Sequence, residues 1–286
     1  MSVTTEAPPE IKPGIYDGIP SEDYHRGPGI SSSGLKRLLP PYTPAHFRFG
    51  EYATSAAMDF GKVAHRLVLG DGDSFAVSPF DSFRSKEARE WKAEQEAKGV
   101  VIISEADLAT AKAMAHAVHA HPTAGPLFDD GKAEQSLYWT DDETGVLCRA
   151  RVDWLRNVVE GRRLIVPDYK SARTAARDPF GRAAADFGYI ISARFYLRGC
   201  KALGLDPDPV FVLVAQEKVA PYLIGVYTPD DEDLEHADQL ISRGLRLYAD
   251  CLANDTWPGY PTTVQTLPLP VYHRIKTEEY LTDDHH

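Results

Sequence analysis

The residues of this chain that could do chemistry lie in two short apolar runs, Arg151-Val152-Asp153-Trp154 and Ile165-Val166-Pro167-Asp168-Tyr169-Lys170. Strand side chains alternate between faces, so Asp168 and Lys170 project together while Tyr169 points away. A turn signal at Glu160-Gly161 would fold the second run antiparallel onto the first and bring Asp153 beside Asp168. Two carboxylates that close repel unless a cation neutralises them. Mg²⁺ takes oxygen ligands and keeps several waters, so Asp153, Asp168 and the backbone carbonyl of Tyr169 would suffice to hold it. Lys170 would then orient or deprotonate an attacking water, or stabilise charge on a phosphorane-like transition state. The chemistry implied is metal-assisted phosphodiester hydrolysis. The competing reading is a surface Asp–Lys pair on an exposed strand, because the D-x-K tripeptide alone is common.

These residues need elements to position them. Ser31-Ser32-Ser33 precedes Gly34-Leu35-Lys36-Arg37-Leu38-Leu39, a capped short helix stopped by Pro40-Pro41. Helical patterns follow at Ala56 to Leu69, at Ser85 to Lys98, and from Ser104, an N-cap with Asp107 at the box position, to His119. Periodicity then switches to strands: Gln135 to Thr140, Val146 to Leu155 and Arg163 to Lys170, expected as a meander. Pro167 removes a ladder donor and predicts a sheet edge or a bulge. Ile190 to Leu203 reads as a helix, Val210 to Gln216 and Tyr222 to Tyr227 as strands, and Asp231 to Ala253 as a long amphipathic helix before a Pro-rich irregular end. The order predicts an α+β fold with an α/β-type core: a central mixed sheet flanked by helices. Residues 1–13 read as a disordered lead-in, and residues 14–286 as one domain with a helical insert at about 71–122.

Composition is that of a globular chain: 286 residues, 43% hydrophobic and 26% charged. There is no bilayer-spanning apolar run and no signal-peptide pattern at the N-terminus, so no membrane is expected as a partner. Cys148, Cys200 and Cys251 are dispersed, which fits a reducing cytoplasm and excludes a four-cysteine iron–sulfur cluster within one chain. A net charge of −11 argues against a protein that coats DNA generally, but cations gather after Gly161, from Arg162 through Arg173, Arg194 and Arg198 to Lys201. Arg151 and Arg173, nearest the acids, are candidate substrate contacts. Solvated helix faces are the equal alternative. Glu134 opens the first strand as an edge carboxylate or a further metal or water partner. His65 lies on an apolar helix, where an isolated histidine is more often an interior group than a ligand. His116, His119 and His121 have zinc-like spacing but no fourth ligand, and a helix end is the better reading.

Taken in order, these segments resemble a known family. Ile30-Ser31-Ser32-Ser33-Gly34-Leu35, Gly61-Lys62-Val63-Ala64-His65, Glu134 to Trp139, Arg151-Val152-Asp153, Asp168-Tyr169-Lys170, and Phe187-Gly188-Tyr189 through Tyr196 to Gly199 match the RecE-type (exodeoxyribonuclease VIII-like) recombination exonucleases of phages and prophages. These belong to the PD-(D/E)XK nuclease superfamily, and the match spans roughly residues 20 to 270. The resemblance implies that His65 belongs to the site, as a metal ligand or by positioning a water, that Asp153 and Asp168 hold the metal, that Lys170 is the catalytic lysine, and that the helix bearing Ser192, Arg194 and Tyr196 meets substrate. It implies 5′ to 3′ degradation of linear double-stranded DNA in a bacterial cytoplasm, leaving a 3′ overhang for a single-strand annealing protein. It further implies Mg²⁺ (with Mn²⁺ able to replace it) and a homo-oligomer. One departure stands out: the family's usual glutamine, four residues before the tyrosine, is Ser192 here. Arg194 lies about 200° round the helix from Ser192 and is a poor substitute. Two rivals therefore remain: a RecB-like relative with different polarity or endonuclease activity, and a catalytically weak protein that binds DNA ends.

Overall fold

A computed structural model of the chain describes residues 11–50 and 56–282. Most of the expected N-terminal lead-in and the terminal His285-His286 pair lie outside the described residues. The N-terminal third holds β1 (Gly14–Tyr16), α1 (Ser21–Arg26), β2 (Ile30–Ser31), α2 (Ser32–Lys36), α3 (Pro44–Phe49) and α4 (Ala56–Leu69). Next come β3 (Phe75–Val77), α5 (Lys86–Ala97), β4 (Val101–Ile103) and α6 (Glu105–Ala120). The remainder is β5 (Gly131–Thr140), β6 (Leu147–Arg156), β7 (Ile165–Ala172), α7 (Arg177–Asp186), α8 (Tyr189–Ala202), β8 (Val210–Glu217), β9 (Ile224–Tyr227), α9 (Asp231–Asn254) and α10 (Val271–Thr282).

Serine caps start three of these helices as their sequences predict. Ser31 Oγ accepts from the Gly34 amide (3.2 Å), Ser85 Oγ from Ala88 (3.1 Å) and Ser104 Oγ from Asp107 (3.0 Å). Each satisfies one of the amides that a helix start leaves without a partner. The β5–β6 hairpin closes at Asp141, whose carboxylate accepts from the Thr144 amide and hydroxyl, and Gly145 supplies the positive φ of +68°.

The strands form a mixed arrangement, although not the meander expected. β1, β5, β6 and β2 make one hydrogen-bonded sheet, and β7, β8 and β9 another. β6 and β7 pack beside each other but share no ladder. The early part of β6 pairs instead with β2, through Ile30 opposite Cys148. β7 is thus an edge strand, the setting in which Pro167 is tolerated. It runs parallel to β8, with Asp168 opposite Leu213, after a crossover through α7 and α8.

Alternation along β7 and β8 separates two cores. Val166, Leu213 and Ala215 pack with Leu35, Phe195, Leu197, Ile241 and Leu245 beneath α2, α8 and α9. Tyr169, Val212 and Val214 pack on the opposite side with Val63, Met114 and Val118 of α4 and α6. A sheet covered on both faces is the layered α/β arrangement. The segment expected as a helical insert therefore builds part of the second core, and it carries the short parallel strands β3 and β4 as well as helices. Two helices depart from expectation. α7 admits Pro179 because its first turn needs no amide donor there. α10 forms within the C-terminal stretch that reads as irregular.

Candidate active site

β7 emerges with Asp168 and Lys170 on the α2–α8 side, their stems flanked by Val166 and Leu213. Lys170 Nζ lies 2.5 Å from Asp168 Oδ2 and 4.0 Å from Asp153 Oδ2. Asp153 reaches in from β6, and the same Oδ2 accepts the Tyr169 amide hydrogen bond at 2.8 Å. That bond joins the two sheets at the point where their strands lack a ladder. Tyr169 faces away, its hydroxyl donating to Gln216 (2.7 Å), which in turn donates to the Met114 carbonyl (2.9 Å).

His65 completes the cluster from α4. Its Nε2 is 3.0 Å from Asp153 Oδ2 and its Nδ1 is 3.3 Å from Glu134 Oε1. Gly61, one turn earlier, faces the end of β7, where a Cβ would just touch Ser171 Oγ at 3.4 Å. Glu134 owes its aim to backbone strain. Its φ is +51°, rare for a residue with a side chain, between the ladder pairs Ala133–Trp154 and Gln135–Val152.

The electrostatics follow from crowding these groups away from water. Burial, then the Asp153 charge, pushes Asp168 up to about 6. Burial acts on Asp153 in the same sense, but His65 and Lys170 outweigh it and hold the acid down at about 2. Burial also raises Glu134 to about 7, against the opposing pull of His65. For His65 and Lys170 burial favours the neutral form, yet the neighbouring carboxylates prevail and both are held above their ordinary values. Two close carboxylates cannot both ionise freely, and here one is low and the other high.

Among the described residues, no three His, Cys, Asp or Glu side chains stand together as a preformed metal cage. Lys170 lies close to both acids, as a cation between them would. The donor set nevertheless fits a hard divalent ion. Asp168 Oδ2 is a buried oxygen whose one close polar contact is the Lys170 ammonium, a cation in the place where a metal ion would sit. Asp153, Asp168, the Tyr169 carbonyl and His65 are the groups that could hold such an ion.

The other candidates divide. Ser192 and Tyr196 line a cleft of about 200 Å³ together with Ser32, Lys36, Asp168 and Lys170. Arg173 is exposed just beyond β7. Arg151 braces the N-terminal segment: it stacks on Tyr24 (4.2 Å) and donates to the Ile19 carbonyl (2.7 Å) and to Ser136 Oγ (3.1 Å). Arg194 is turned toward α9, 2.5 Å from Asp238, on the side of α8 away from Ser192. Arg198 shares that carboxylate at 2.8 Å, so part of the basic section is occupied in joining two helices. His121 accepts amides of Thr123 and Ala124 at the end of α6 and serves as the helix stop its position suggests. Lys36 carries no signal in the sequence: a basic residue at the end of a Ser-capped helix is an ordinary feature, and nothing local marks it as part of a cleft with β7.

An acid on one strand, an acid-x-lysine on an edge strand and a flanking helix define a core of the PD-(D/E)XK type. The chain belongs to the family described as PDDEXK-like domain of unknown function (DUF3799), whose model matches residues 31–268. No curated protein sequence matches it. Its fold is similar to that of a solved structure from Eubacterium rectale named "Putative exonuclease", with a TM-score of 0.55 and 12% identity, covering 94% of this chain and 100% of that one. At that identity the likeness speaks for the fold, and the family supports nuclease activity.

Proposed function

We propose that this protein is a divalent-metal-dependent deoxyribonuclease that degrades linear double-stranded DNA from its ends, 5′ to 3′, leaving a 3′ overhang. The observation that carries the reading is the meeting of Asp153, Asp168, Lys170 and His65 beside a cleft, where a buried Asp168 oxygen has the Lys170 ammonium as its one close polar contact. Polarity, the use of Mg²⁺ or Mn²⁺, a homo-oligomeric state and an annealing partner come from the resemblance to RecE-type exonucleases.

A bound divalent cation would polarise the phosphate and acidify the attacking water. The chain's own groups do the rest. Asp153, held low, is ionised at neutral pH and supplies a permanent negative charge. Lys170, held above its ordinary value, keeps its proton. In that charge state it can donate to the charge that builds on the phosphate oxygens. His65 is braced from both ring nitrogens, which fixes its orientation toward Asp153.

The test uses linear duplex DNA labelled at the 5′ or the 3′ end, with Mg²⁺ or EDTA, beside a closed circle. Release of nucleotides from 5′ ends of the linear substrate alone, and only with metal, is the expected result. Cutting of the circle would replace the exonuclease by an endonuclease, and retarded but intact DNA would replace it by an end-binding protein. Lys170→Ala should lower the rate by about 10²-fold or more and leave DNA binding in place.

A further inference from the structure

A second lysine reaches the cleft from a distant part of the chain. Lys36 ends α2, and its ammonium donates to the Phe187 carbonyl (2.9 Å) and to Ser192 Oγ (3.1 Å). Gly188, at the junction of α7 and α8, makes room for its stem: a Cβ there would come within 2.7 Å of Lys36 Cδ. An ammonium has three N–H donors, and neutral acceptors hold two of them. Among the described residues no carboxylate lies within ion-pair distance of Lys36, although Asp168 and Lys170 line the same cleft. Burial, then the charge of Lys170, pushes Lys36 down to about 8. Two ammonium groups facing one small cleft repel, and an anion entering between them relieves that repulsion.

We propose that Lys36 is a phosphate-contact residue of this site, its remaining N–H holding a non-bridging oxygen of the DNA phosphate that enters beside Lys170, while Ser192 orients its ammonium. This rests on the nuclease reading above and deepens it. It also accounts for Ser192: a glutamine there would bring an amide donor from α8, whereas the shorter serine leaves space for a charged donor from α2. The alternative is that Lys36 only ties the end of α7 to α2.

The experiment compares the full chain with Lys36→Gln, which retains a donor for the Phe187 carbonyl and Ser192 but carries no charge, and with Lys36→Arg. Binding of linear duplex is followed by fluorescence anisotropy in EDTA over a range of salt, cleavage in Mg²⁺, and folding by thermal unfolding. Lys36→Gln should keep its melting temperature and lose about tenfold in cleavage rate. Its slope of log K against log salt should fall by about 0.9, the signature of one duplex phosphate contact removed. Lys36→Arg should restore both. A folded Lys36→Gln chain with the original slope and rate overturns the proposal. So does one that fails to fold, because the lysine is then structural. A wild-type chain that neither binds nor cuts linear duplex refutes the nuclease reading itself, and this assignment with it.

Discussion

Single side chains in this site sit in conformations and charge states that only their neighbours sustain. Glu134 is the clearest case, because a left-handed backbone costs about 1–2 kcal/mol for a residue with a Cβ. Glu134→Gly removes both the strain and the contacts to His65 and Arg151, whereas Glu134→Ala removes the contacts alone. The glycine variant should therefore be more stable than the alanine variant by about 1 kcal/mol, as read by urea unfolding. Equal stabilities would mean that the dihedral carries no strain. None of this was legible in the sequence, since nothing in Lys132-Ala133-Glu134-Gln135 marks a break in strand conformation. The shared face of Asp168 and Lys170 was legible, because it follows from strand alternation alone. Lys36 was not: the contacts that place it in the cleft cross more than 150 positions of sequence.

Between elements, the sequence is informative about what each segment is and less so about what it pairs with. Caps at Ser31, Ser85 and Ser104 are local chemistry and stand as expected. The turn at Glu160-Gly161 brings β6 and β7 close, but a turn signal fixes proximity without fixing a ladder. Packing decides the outcome: β7 takes β8 as its parallel partner, and the two bury residues on both faces. The basic section shows the same limit, since charge counting cannot tell a DNA contact from a helix tie. Asp238 on α9 holds Arg194 and Arg198 on α8. Burial opposes its ionised form, but the two arginines prevail and keep it below the usual carboxylate range. Its contribution to stability is thus present above about pH 4 and is lost as pH falls through its lowered value. Asp238→Asn should cost about 1–2 kcal/mol at neutral pH and progressively less in acid, measured by denaturant titration. A cost that grows in acid would contradict the assignment.

At the scale of the whole molecule, the site doubles as a junction between two sheets, and its titration is coupled to the fold. In the metal-free protein Asp168 is raised to about 6, so the folded state holds that proton more tightly than the unfolded chain does. Its stabilising share is complete below about pH 4 and disappears as pH rises through 6. On the proposed assignment a divalent ion would have to compete with this proton and with the one on His65, so metal binding would strengthen as pH rises. Adding Mg²⁺ or Mn²⁺ should raise the melting temperature more at pH 7.5 than at pH 5. Equal gains at both values would exclude Asp168 and His65 as ligands.

The missing ladder between β6 and β7 leaves the gap separating the two principal acids without the regular rungs that would set its width. The Tyr169 amide bond to Asp153 and the looser approach of Lys170 to the same carboxylate span it. The spacing of the two acids is therefore set by side-chain contacts, and an ion bound between them would replace those contacts rather than fit a width fixed by a ladder. For a nuclease built this way, an ion of larger radius would be expected to bind between the acids and yet hold a substrate phosphate out of line.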